Sequence, residues 1–221
     1  MVTLCWAAKG GSGTTVVAAA LALSSQRPSL LVDLDGELPA VLGLPEPDRP
    51  GVAEWLASDT SADHLAELLV DIGPRVWLLP WRSATSAHGR HHVDDHDVRW
   101  STLGHWLHDW SNQWGCDVTV DVGTRVPPEP LAARSDRLLL VTRPCYLSLR
   151  RAVRSGVRPT GVILVDEPGR GLGQRDIEHA IGVPVEAVIS VDPSVARAVD
   201  AGLLASRLPR VMTRALRSAA A

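Results

Sequence analysis

Short apolar runs alternate with longer stretches in which apolar residues recur at helical spacing. Apolar, β-branched runs predict strands near 2–7, 29–34, 76–80, 117–122, 137–142, 161–165 and 185–191. Helical spacing predicts helices over 14–25, 51–57, 61–71, 98–114, 146–154, 174–181 and 194–201, with a last one near 208–219. Strand and helix in alternation are the pattern of a parallel sheet with crossover helices. Leu138–Val141 is apolar without a break, as expected for a strand covered on both faces. Segment 82–97 is rich in small and polar residues and reads as a mobile loop. Pro127-Pro128 reads as a break after a strand and not as a domain boundary, so one domain over 1–221 is expected.

Composition narrows this picture. At 221 residues the chain is long enough for one large α/β core. A net charge of −3 gives no global pull toward nucleic acid or anionic membrane, so any such contact must come from a local patch. No apolar stretch reaches the roughly 18 residues that would suggest a membrane span. Neither a charged leader nor a cleavage signal is visible at the start, which predicts a cytoplasmic protein. Cys5, Cys116 and Cys145 are scattered and odd in number, which fits a reducing compartment. The absence of C-x-x-C argues against a cluster-bridging iron–sulfur ATPase.

The candidate chemistry sits between the first strand and the first helix, in Ala8-Lys9-Gly10-Gly11-Ser12-Gly13-Thr14-Thr15. Lys9 is the one lysine of the chain; every other basic residue is arginine. A strand, a glycine loop and a helix in that order form the context that makes a phosphate-binding loop credible. In the Walker pattern G-x-x-x-x-G-K-[ST], backbone N–H groups wrap the phosphates, the lysine reaches the β/γ oxygens and the hydroxyl binds Mg²⁺. Gly13 and Thr15 stand where that pattern requires them, but Ala8 replaces the first glycine and Thr14 the usual lysine.

The K-G-G-x-G arrangement resembles the deviant Walker loop of the MinD/ParA family of partitioning and positioning ATPases. The resemblance implies a three-layer α/β/α P-loop NTPase fold with a mostly parallel central sheet. It further implies ATP and Mg²⁺ as cofactors and a homodimer formed on ATP binding. By that resemblance Lys9 reaches the partner subunit's phosphates, while Gly10, Gly11, Ser12, Gly13, Thr14 and Thr15 line the nucleotide and Thr15 supplies the Mg²⁺ hydroxyl. The chain departs from the family at Thr14, where most members carry a second lysine. Loss of that cation should weaken transition-state stabilisation and slow turnover.

Three further segments extend the resemblance. Leu30-Leu31-Val32-Asp33-Leu34-Asp35-Gly36 resembles the family's V-D-x-D stretch, which gives Asp35 a place near the attacking water. A turn or cap aspartate is the alternative for Asp35. Cys116–Gly123 resembles the Walker B strand, with Asp121 as the Mg²⁺ carboxylate. Val191–Gly202 is similar to the family's D-P-x-V-x-x-A-x-x-x-G helix start, but a structural strand–helix connection capped by Asp192 and Pro193 is the better reading, so this match bears on fold more than on chemistry. Asp166 stands where many members have the Asn that contacts adenine; it can accept a hydrogen bond from the base but cannot donate as an amide does.

Other clusters carry two readings each. His88, His91, His92 and His96 lie among Asp94, Asp95 and Asp97, and could bind Zn²⁺, but a solvated polar loop accounts better for their spacing. Trp100, Trp106, Trp110 and Trp114, with Leu103 and Leu107, form an apolar stripe for sheet packing or for a partner. Arg207, Arg210, Arg214 and Arg217 belong to a basic amphipathic helix expected within 203–221. Docking on the body of the protein is the preferred reading, and peripheral contact at the inner membrane face the alternative. Arg150, Arg151, Arg154 and Arg158 form a second basic group that could touch DNA.

The expected function is an ATP-binding, dimerising positioning switch with weak or slow ATPase. The missing second lysine resembles the TadZ/CpaE branch, which implies protein partners in a Tad-type pilus or secretion assembly. Two alternatives stand beside it: a non-hydrolysing P-loop scaffold and a ParA-like DNA segregation ATPase.

Overall fold

The computed structural model describes residues 1–82, 97–217 and 219. Its centre is an eight-stranded sheet: β1 (Val2–Trp6), β2 (Ser29–Asp33), β3 (Val70–Gly73), β4 (Val76–Leu79), β5 (Asp117–Gly123), β6 (Arg137–Thr142), β7 (Gly161–Asp166) and β8 (Val185–Ser190). The strand order is β3-β4-β2-β5-β1-β6-β7-β8. All neighbours are parallel except β3 and β4, which form an antiparallel hairpin at one edge. The expected three-layer P-loop architecture is therefore the observed one.

Nine α-helices are described: α1 (Thr14–Ser24), α2 (Leu38–Leu42), α3 (Val52–Leu56), α4 (Asp97–Trp114), α5 (Glu129–Ala132), α6 (Tyr146–Arg154), α7 (Gln174–Ile181), α8 (Pro193–Asp200) and α9 (Arg210–Leu216). The period-2 geometry of strands sends alternate side chains to opposite faces. Leu4, Trp6, Leu30, Val32, Val120 and Leu140 pack with α3 to α7 on one face. Cys5, Leu31, Leu139, Val141 and Ile163 pack with α1, α2 and α9 on the other. Truncating a residue such as Leu4 or Leu139, each fully buried, would cost about 2–5 kcal/mol.

Three sequence expectations need correction. The helix expected at 61–71 is a 3-10 helix over Ala62–Leu68, started by Ser61, whose side chain accepts from the Asp63 N–H. The chain then enters β3, and Arg75 turns it into β4 with a positive φ of 67°. The terminal helix expected at 208–219, and the wider helix placed in 203–221, shrink to Arg210–Leu216 because Pro209 sets its N-cap. Arg207 precedes that helix, and Met212 and Leu216 are buried in the core, so its apolar side faces the protein. The docked reading of this segment is the one the structure supports.

The single Trp stripe divides into two rows. Trp100, Leu103, Gly104, Leu107 and Ser111 face the core. Trp106, Trp110 and Trp114 stack along α4 in a ladder with ring centroids 5.1 and 5.5 Å apart. Most of segment 82–97, with His88, His91, His92, His96, Asp94 and Asp95, lies outside the described residues. Asp97 opens α4. Among the described residues no helix is long and apolar enough to cross a membrane, and no group of three metal-ligating side chains forms.

Candidate functional site

The strand order reverses its direction of growth at β1: the chain passes from β1 to β2 on one side, and from β5 to β6 on the other. In open α/β sheets the crevice at the carboxyl ends of strands around such a point is where ligands bind. The glycine loop sits there, continuing directly from β1 into α1. Ala7 anchors its start, donating its N–H to the Gly123 carbonyl at 2.8 Å. Ser12 is buried and its Oγ donates to the Lys9 carbonyl at 2.8 Å, which closes the loop on itself. Gly13 ends the loop with φ 88° and ψ 23°, a left-handed conformation that L side chains rarely adopt.

The N-terminus of α1 suits an anion. It has no acidic residue in its first turn and no side-chain cap. Its first N–H groups have no intrahelical partner by helix geometry, and the helix dipole adds positive potential. Gly10 and Gly11 are exposed, Gly13 and Thr15 half-buried, and Thr14 buried. Lys9 is half-buried, its Nζ 3.5 Å from the Gly10 carbonyl. Lys9 therefore folds over its own loop, where a long flexible side chain can redirect toward a phosphate.

Three carboxylates gather beside this loop. Asp33 and Asp121 are register partners on β2 and β5, and Cys5 pairs with Asp121 from the other side. Asp33 is fully buried and structural: its carboxylate accepts from the N–H groups of Asp35 (3.0 Å), Gly36 (2.7 Å) and Leu38 (3.2 Å). Those bonds fix the turn that presents Asp35. Burial nonetheless dominates and pushes the Asp33 carboxyl up to about 6.

Asp121 is different. It too is fully buried, and its Oδ1 accepts from the Gly123 N–H at 3.0 Å. Its Oδ2 makes no hydrogen bond among the described residues. Burial, then the nearby Asp33 charge, pushes its carboxyl up to about 7, while the Thr15 hydroxyl beside it pulls the other way. A buried carboxylate oxygen without a partner is costly, and a cation or a proton removes that cost. Asp121 and Thr15 therefore form an oxygen pair suited to a hard divalent ion.

Asp35 lies half-buried above this pair, its carboxyl filling the space that a β-carbon on Gly123 would need. Gly123 has φ 65°, so both its backbone and its missing side chain make room for Asp35. Asp166 ends β7, half-buried, its carbonyl accepting the Val191 N–H at 2.9 Å. The neighbouring Val165 methyl is 4.0 Å from where a β-carbon on Gly13 would stand, so the end of β7 borders the loop. Lys9, the loop, Thr15, Asp35 and Asp121 thus meet at the carboxyl ends of β1, β2 and β5, with Asp166 on the flank.

Sequence reasoning missed several neighbours. Asp33 holds the turn bearing Asp35, which an Asx-type spacing to Gly36 could have suggested. Trp81 lies 3.4 Å from where a β-carbon on Gly36 would be, and the Arg125 guanidinium sits 5.0 Å from the Trp81 ring. That stack joins the turn after β2 to the segment after β5. Glu167 accepts from Arg170 at 2.7 Å and lies 3.9 Å from Arg143, which makes a charged rim beyond Asp166. No motif marks Trp81, Arg125 or Arg143, because their contacts are set by the sheet and not by spacing along the chain.

No protein-family model matches the chain, and no curated protein matches its sequence. Solved structures do match its fold. A ParA family ATPase from Chlorobium tepidum TLS superimposes with a TM-score of 0.76 at 22% identity, covering 99% of this chain and 96% of the other. The septum site-determining protein MinD complexed with Mg-ADP, from Pyrococcus horikoshii OT3, gives 0.72 at 20% identity, covering 99% and 93%. A MinC:MinD cell division complex from Aquifex aeolicus gives 0.71 at 18% identity, covering 98% and 94%. The chain has the fold of the MinD and ParA ATPases.

Proposed function

We propose that the chain is a MinD/ParA-type nucleotide switch that binds MgATP at the glycine loop and dimerises around it. The observation that carries this reading is the convergence of an uncapped helix N-terminus, the sole lysine and a buried, half-satisfied Asp121 at the carboxyl ends of the central strands. The loop amides and the α1 N-terminus hold the phosphates. Lys9 supplies the cation, reaching the partner subunit's nucleotide. Thr15 and Asp121 hold Mg²⁺, which neutralises phosphate charge when bound. Asp35, fixed by Asp33 and Gly123, orients water. Asp166 accepts from the base.

Thr14 is buried at the position of the second lysine and brings no charge to the phosphates. Turnover is accordingly slow, and the protein acts by occupancy more than by flux. This favours a positioning role, with a pilus or secretion assembly as the cargo and protein partners at the dimer surface. The same observation supports a second reading, a scaffold that holds nucleotide without hydrolysing it. The α6 arginines would serve a DNA-bound role, which requires salt-dependent, ATP-dependent DNA binding. The neighbouring MinD that is solved with MinC sets the precedent for a protein partner.

Isothermal titration of MgATP into the wild-type chain and Lys9→Ala tests the proposal. Micromolar binding that drops at least tenfold in the variant is expected. A folded protein that takes up no nucleotide would refute the switch and the nucleotide-holding scaffold together.

A further inference from the structure

A cleft of about 490 Å³ opens on the face of the sheet opposite α1, between the C-terminal ends of α6 and α7. Its size falls within the range of small-molecule sites, roughly 300–1,000 Å³. Leu140, Ala152, Val157, Ile181 and Val183 give it apolar walls, and Trp6 lines it as well. Trp6 is 1% exposed, yet its indole Nε1 donates no hydrogen bond among the described residues. Buried donors are nearly always paired, because an unpaired one costs about 1–3 kcal/mol. Arg158 lines the same cleft and is exposed, and among the described residues no carboxylate lines it.

We infer that this cleft is a binding site for a small apolar anion. Its apolar body packs between α6 and α7, one acceptor atom takes the Trp6 indole N–H, and its negative charge pairs with Arg158. Arg158, with no carboxylate beside it among the described lining residues, disfavours cations, and the apolar walls disfavour a bare inorganic ion. The site is separate from the glycine loop, but it touches the strand that carries it. Trp6 is bonded directly to Ala7, whose N–H is held by Gly123.

Anilinonaphthalene sulfonate is an aromatic anion that reports binding by fluorescence, and N-phenylnaphthylamine is its uncharged counterpart. The anion should bind once per folded chain without nucleotide. Trp6→Phe keeps an aromatic ring, though a smaller one, and removes the donor, and should weaken binding about fivefold, the effect of one hydrogen bond. Arg158→Gln, at an exposed position, should weaken the anion several-fold and leave the uncharged probe unchanged. Ala180→Trp, at an exposed position on the cleft wall, should abolish both. Thermal melting checks that each variant is folded. Binding that survives Ala180→Trp in a folded protein would overturn the site. So would a Trp6→Phe variant that binds both probes at wild-type affinity, since the indole would then be satisfied by buried water alone.

Discussion

The carboxyl of Asp35 occupies the space that a β-carbon on Gly123 would fill. The two residues lie 88 positions apart in sequence, at the ends of strands that are neighbours in the sheet. The relationship runs both ways. Gly123 allows Asp35 to reach inward over Asp121, and Asp35 leaves no other residue type at 123 without a shift.

Gly123→Ala should therefore damage the site and the fold together. The new methyl meets Asp35, and φ 65° is itself strained for alanine. A loss of about 1–3 kcal/mol is expected in denaturant unfolding. Combining it with Asp35→Ala should recover part of that loss, because the two share one space. Strict additivity of the two changes would show that Asp35 and Gly123 do not compete.

The paired carboxylates set a pH dependence. The folded values of about 6 for Asp33 and about 7 for Asp121 lie above the ordinary 3.8. Between pH 4 and 7 the folded chain thus holds protons that the unfolded chain has released. Their contribution is fully present below about pH 4 and is lost as pH rises through about 6 and then about 7. The nucleotide-free protein should lose a few kcal/mol from these two groups over that window. Asp121→Asn should flatten the upper part of the curve and raise the melting temperature at pH 8. A variant whose stability follows the wild-type pH curve would count against a buried, strained Asp121.

Thr14→Lys should restore the missing cation. An arriving lysine can run its stem along the loop and place its ammonium at the phosphates. MgATP affinity should rise about five- to tenfold and turnover by at least as much, measured by phosphate release. Unchanged turnover would show that the slow step lies elsewhere.

The terminal helix offers a stability test. Met212 and Leu216 are buried against the α1 side of the sheet. Met212→Ala should cost about 2–4 kcal/mol. If vesicles containing anionic lipid protected the wild type from this helix's proteolysis while Met212→Ala melted normally, the docked assignment would fail.

Much of the fold was legible because apolar runs mark strands buried on both faces. All seven expected strands form. The one not foreseen, β3, has exposed Val70 and Asp71 and lies at an edge, so it lacks the apolar signature of the rest. The candidate loop stood out because its residues are contiguous between an apolar run and a helical pattern, and the structure places them between β1 and α1. Trp81 and Arg125 did not, since their contact comes from strand order and side-chain reach. The split of the tryptophans into two rows was equally hidden, because spacing of four keeps Trp106, Trp110 and Trp114 together but does not say which side faces the sheet.

Lys9 gives the molecule an unusual chemical economy. Lys9 carries the one side-chain amine in the chain, and it lies on the loop itself. An amine-directed reagent therefore has one side chain to modify, apart from the α-amine of Met1, and peptide mapping separates the two. The rate at which an acylating label attaches to Lys9 becomes a direct gauge of how often the loop stands open.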